Sequence, residues 1–145
     1  MGDKDSSKPR VLGIDLETYS DVDLGKCGLY RYVEGDFHIL LFAYAFDDGD
    51  VRVIDMACGE QIPREVLIAI DDPQVIKAAW NAQFERTCIG HYLGRRLSPD
   101  GWRCSMVHAA SLSLPLALKN AAKVLKTGEQ KDRAGENLIK YFSVP

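Results

Sequence analysis

The sequence predicts an α/β domain: a mixed sheet of about five strands, the first three antiparallel, flanked by helices. Three observations carry this. Alternating or β-rich apolar runs come early, at 11–17, 39–46 and 51–56. Helical spacing then alternates with a short apolar run at 75–80. The length, 145 residues with 46% hydrophobic and 27% charged, suits one globular domain. The formal charge of 18 − 21 = −3 excludes a strongly basic nucleic-acid wrapper, so any such contact must be local.

Residues 1–10 are polar and read as a flexible arm, leaving 11–145 as the domain. In the first strand Leu12, Ile14 and Leu16 point one way, and Val11, Gly13, Asp15 and Glu17 the other. Residues 18–37 are rich in Asp and Gly and read as a long excursion. Ile39 to Phe46 is almost wholly apolar, as a central strand would be, and is far too short to span a membrane. Asp47-Asp48-Gly49-Asp50 is a hairpin turn, and Val51 to Met56 alternates as the return strand.

Pro63 suits the first turn of a helix carrying Val66, Leu67 and Ile70, which Asp72-Pro73 ends. Val75 to Trp80 reads as a strand. Asn81 then caps a helix from Ala82 to about Arg96, with an apolar stripe of Phe84, Cys88 and Tyr92. Trp102 to Met106 fits either a fifth strand or a helix start. Leu116 to Lys126 is helical, with Leu118, Ala121, Ala122 and Leu125 inward and Gly128 past its end. Lys131 to Phe142 reads as a last helix. The four cysteines, Cys27, Cys58, Cys88 and Cys104, form no Cys-x-x-Cys pair and suit reduced, mostly buried thiols in a cytosolic protein.

Two constellations carry chemistry. Asp15 and Glu17 stand two apart on a strand, so they share a face about 6.5–7 Å apart. Side-by-side carboxylates on an interior strand repel, and a divalent cation removes that cost. Carboxylate oxygens are the hard ligands that Mg²⁺ or Mn²⁺ takes. The plainer reading is a strand end whose acids reach solvent. Asn81 and Glu85, four apart, lie on one helix face at the carboxyl end of a strand, where α/β sites gather. The plainer reading there is a cap and a solvated charge. Thr18 and Tyr19 follow Glu17 and could hold a phosphate or a 3′ hydroxyl, or simply turn the chain.

Residues 119–145 carry six Lys or Arg against three acids. Lys119, Lys123 and Lys126 make a positive stripe, which fits the wet face of an amphipathic helix more readily than a DNA contact. His38, His91 and His108 lack metal-ligand spacing. No nucleophile elbow, P-loop or dinucleotide fingerprint is present.

Taken together, Ile14-Asp15-Leu16-Glu17-Thr18 resembles the first motif of the DEDD-type 3′–5′ exonucleases. Asn81-x-x-Phe84-Glu85 resembles their second, Asn-x-x-Phe-Asp. Gly28 to Tyr32, Leu40 to Ala45, Trp102 to Met106, Lys131-Asp132-x-x-Gly135 and Leu138-Ile139 resemble the proofreading domain of phage and prophage family A DNA polymerases. That resemblance implies a ribonuclease-H-like fold and a two-metal Mg²⁺ or Mn²⁺ site. The implied catalytic and metal residues are Asp15, Glu17 and Glu85. Thr18, Tyr19 and Asn81 would hold the substrate, a single-stranded DNA 3′ end. The implied partner is the polymerase domain of a longer chain, in the cytoplasm of a bacterial or phage-infected cell.

Two departures stand out. Glu85 replaces the second-motif Asp. The third motif, Tyr-x-x-x-Asp or His-x-x-x-Asp, is absent before Pro145. The sequence therefore reads as a domain cut before that motif, with doubtful activity alone. The alternative is an exonuclease-fold module of little turnover that binds DNA or a partner protein.

Overall fold

The computed structural model describes residues 10–128. The elements are β1 (Val11–Tyr19), α1 (Leu24–Cys27), α2 (Leu29–Glu34), β2 (His38–Phe46), β3 (Arg52–Asp55), α3 (Arg64–Asp71), β4 (Ile76–Ala79), α4 (Ala82–Tyr92), β5 (Trp102–Cys104), α5 (Ser105–Ser111) and α6 (Leu118–Leu125). The sheet order is β3-β2-β1-β4-β5. β1 and β2 pair antiparallel, as do β2 and β3. β4 runs parallel to β1, and β5 parallel to β4. The predicted mixed sheet, with its first three strands antiparallel, is what the chain forms.

β1 lies in the middle of the sheet, and its side chains alternate between the core and the other face. Leu12, Ile14, Leu16 and Thr18 are buried, and the intervening side chains are not. Asp47 closes the β1–β2 end: the Val11 amide donates to Asp47 Oδ1 at 2.8 Å, and the Asp47 amide donates to the Val11 carbonyl at 2.8 Å. Phe42, Leu12, Val66, Cys88 and Ile89 are fully enclosed and mark the centre of the core. Burial of that apolar surface is the main drive for folding.

Several expectations need correction. The excursion at 18–37 holds two short helices, α1 and α2. Asp23 caps the first, its carboxylate accepting from the Lys26 amide. Gly28, at φ 79°, joins the two, a conformation glycine adopts without steric cost. The residues 18–19 belong to β1 rather than to a loop. The fourth helix ends at Tyr92, and Tyr92 is 46% exposed, so the expected stripe of Phe84, Cys88 and Tyr92 is not its inner face. That face is Ala82, Glu85, Cys88 and Ile89. The 102–106 stretch is both things it resembled: a three-residue strand leading into α5.

On α6 only Ala121 is buried; Leu118 and Leu125 are exposed. That helix starts at Leu118 rather than Leu116 and ends, as expected, at about Lys126, which caps it in the left-handed conformation at φ 53°. Among the described residues Cys88 alone of the cysteines is buried; Cys27 and Cys58 are exposed and all four are free thiols. The predicted helix 131–142, the motif pieces beyond 128 and the arm at 1–9 lie outside the described residues. No helix among the described residues is long and apolar enough to cross a membrane.

Candidate active site

The site is built where β1 meets the start of α4. β4 pairs with the first half of β1, Gly13 lying opposite Ala78. The chain leaves β4 after Ala79, turns through Trp80 and Asn81, and enters α4 beside the later residues of β1. Asn81 occupies the N-cap position, yet its side chain makes no capping bond; its carbonyl instead accepts from the Phe84 amide at 2.8 Å. The side chain of Asn81 is exposed at the mouth of this region.

Three carboxylates were predicted here, and the burial of the β1 pair differs from expectation. Asp15 is exposed and Glu17 half-buried, although β1 is an interior strand. The buried acid is Glu85, 5% exposed. Placing Glu85 on the inner face of α4 follows from helical spacing: it falls three after Ala82 and four before Ile89. Burial pushes its carboxyl up to about 7, and the charge of Asp15 pushes in the same direction. A hydrogen bond from its own backbone amide, in the first turn of α4, opposes this and outweighs the effect of Asp15 but not that of burial. The charge of Asp15, on β1, is thus felt at Glu85, on α4. Glu85 Oε2 is buried and has no hydrogen-bond partner. A buried carboxylate oxygen left so is costly.

That orphaned buried oxygen, with the charge of Asp15 near enough to be felt, suits a hard divalent cation. The fit is to a pair rather than to a finished cage. Among the described residues no three His, Cys, Asp or Glu side chains come together as a ready-made metal cluster. Burial raises the Tyr32 phenol, and the charge of Glu17 adds to this in a small way.

Tyr32 is the residue that sequence reasoning missed. It comes from α2, is 5% exposed, and shares a 2.8 Å hydrogen bond between its hydroxyl and that of Thr18. Its ring packs on Phe84 with centroids 6.2 Å apart. Ser20 Oγ donates to the Tyr32 carbonyl at 2.7 Å. Tyr32 therefore ties the residue after Glu17 to the residue before Glu85. Sequence offered no periodicity to find it, because α2 has only six residues. Thr18, in turn, is buried and points into this contact instead of toward solvent. Tyr19 faces the other way and stacks on His38, centroids 6.5 Å apart, with His38 held by Asp36 at 2.9 Å.

No protein-family model matches the chain. Over 137 residues, 94% of this chain, it is 56% identical to a DNA polymerase of Bacillus phage SP02. The chain spans about a fifth, 21%, of that polymerase's length. Brucella melitensis NrnC with bound Mg²⁺ has a similar structure, with a TM-score of 0.59 at 16% identity over 90% of this chain and 63% of that one. Escherichia coli RNase D, an exoribonuclease involved in structured RNA processing, gives 0.59 at 14% identity over 87% and 30%. By sequence the chain is similar to a segment of a phage DNA polymerase, and its ribonuclease-H-like fold, a mixed sheet flanked by helices, is shared with NrnC and RNase D.

Proposed function

We propose that this chain is the 3′–5′ exonuclease module, at 11–145, of a phage-type DNA polymerase, acting on the single-stranded 3′ end of DNA. The observation that carries the reading is the buried Glu85 carboxylate with an unpartnered oxygen, set against Asp15. Asp15, Glu17 and Glu85 would hold Mg²⁺ or Mn²⁺. NrnC, of the same fold, is known with bound Mg²⁺, which supports that choice of cation. Bound there, divalent cations would polarise the scissile phosphate and lower the pKa of the attacking water. The protein's own part is to hold the carboxylates in place. Burial and Tyr32 fix Glu85 and the end of β1, while Tyr19 and Asn81, nearer solvent, would contact the terminal nucleotide. Thr18 positions its neighbours from inside rather than touching substrate.

A second reading, a module that binds DNA or a partner with little turnover, is favoured by one observation: among the described residues the carboxylates do not form a three-ligand cluster. Strand shortening separates the two. A 5′-labelled single-stranded DNA incubated with the purified chain and Mn²⁺ should shorten from its 3′ end, and Asp15→Ala or chelator should abolish this. Intact DNA at equimolar protein supports the binding module instead.

A further inference from the structure

A second feature lies on the other side of α4. A cleft of about 900 Å³ opens between α2, α4 and the return at 94–99, lined by Tyr30, Arg86, His91, Arg95, Arg96 and Ser98 among others. Among the described residues no Asp or Glu lines it. Three guanidinium groups in one cleft are notable in a chain of net charge −3.

Its walls are fixed by local geometry. Gly90 lets the chain fold back against α4, since a Cβ there would stand 2.8 Å from the Arg95 carbonyl. The Arg95 amide donates to the Gly90 carbonyl at 3.0 Å, and Gly94 turns the chain at φ 68°. Arg86 is pinned by donating from Nη1 to the Leu97 carbonyl at 3.1 Å. Arg95 is engaged by Asp71 at 2.6 and 2.7 Å, so part of its charge is already answered. Tyr30 stands 60% exposed at the rim and offers a ring face.

We propose that this cleft binds the sugar–phosphate backbone of single-stranded nucleic acid, with Arg86 and Arg96 on phosphates and Tyr30 stacking on a base. The proposal rests on the nuclease reading only for the identity of the polyanion. Its chemistry is that of single-strand grooves: fixed cations along the backbone and an aromatic face tolerant of any base. Arg86 follows Glu85 directly in α4, so a strand in the cleft would lie one helix face away from the carboxylates. The cleft would then hold strand on the flank of the site, without reading its sequence.

The test is anisotropy of a short fluorescein-labelled single-stranded oligonucleotide, in chelator so that nothing is cleaved. Arg96→Glu and Arg86→Gln are compared with Lys123→Glu, which makes the same charge reversal on the exposed face of α6. Unchanged circular dichroism and melting confirm that each variant folds. The expected result is a Kd raised about tenfold by Arg96→Glu and about threefold by Arg86→Gln. The slope of log K against log salt should fall by about 0.7 for each lost phosphate contact. Lys123→Glu should leave Kd within about twofold. Equal weakening by all three, or loss with Lys123→Glu alone, overturns the proposal. So does a wild-type chain that binds no oligonucleotide, or one from which a polyglutamate peptide displaces the strand at equal concentration. Binding without strand shortening in Mn²⁺ keeps the cleft and removes the nuclease reading. Shortening with unchanged Kd in both arginine variants does the reverse.

Discussion

The hydroxyls of Tyr32 and Thr18 meet at 2.8 Å inside the protein, joining α2 to the end of β1. Removing one partner strands the other, which costs more than the bond itself contributes. Tyr32→Phe keeps the ring on Phe84 and should destabilise by about 1–3 kcal/mol in urea unfolding. Thr18→Val should cost a similar amount. The double variant should cost clearly less than the sum, because neither group is then left unpaired. Additive costs would show that the two hydroxyls are not coupled.

Glu85 makes stability depend on pH with a definite sign. Its carboxyl is raised from 4.5 to about 7 in the folded chain. The folded state therefore binds the proton more tightly than the unfolded state, and stability falls as pH rises from about 4.5 to about 7. A shift of that size corresponds to a loss on the order of 3 kcal/mol above the window. In chelator, melting at pH 5 should exceed melting at pH 8, and Glu85→Gln should flatten the difference. A slope of the same size in Glu85→Gln would assign it to other groups.

Burial is the larger cause of that shift and Asp15 the smaller. Asp15→Asn should accordingly lower the Glu85 pKa only in part, leaving it above the ordinary carboxylate range. Carbon-13 detection of the Glu85 carboxyl through a pH titration reads this directly. A return to an ordinary value would make the charge of Asp15, and not burial, the main cause.

Gly90 is the least replaceable glycine near the cleft. Gly90→Ala places a methyl 2.8 Å from the Arg95 carbonyl, a backbone atom that cannot swing aside. The expected cost is about 1–3 kcal/mol, as for other overpacked sites. Gly28→Ala, with open space around its Cβ position but φ 79°, isolates the cost of backbone strain alone. If Gly90→Ala were as stable as the parent, the return at 94–99 would be looser than described.

Much of the fold was legible because the early strands are long and alternate. Leu12, Ile14 and Leu16 announced the inner face of β1, and Asp47 to Asp50 announced its hairpin partner's turn. β4 was legible from its place between helical stretches, while 102–106 was left open between a strand and a helix start. What failed has physical reasons. α1 and α2 span four and six residues, too short for a 3.6-residue period to show. A polar Glu85 on an inner face breaks the hydrophobic pattern, so the apolar stripe drew the helix rotated toward Tyr92. Leu118 and Leu125 look like core residues and are exposed, which no periodicity reveals. Tyr32 was invisible as a site residue because its role exists only through contacts with β1 and α4.

The proposed chemistry depends on carboxylates from β1 and α4 sharing one divalent cation. Mn²⁺ binding followed by electron paramagnetic resonance at pH 7.5 tests this without requiring turnover. Saturable binding is expected, and Asp15→Asn and Glu85→Gln should each weaken it at least about tenfold with folding intact. Mn²⁺ affinity that is unchanged in either variant would contradict the shared site.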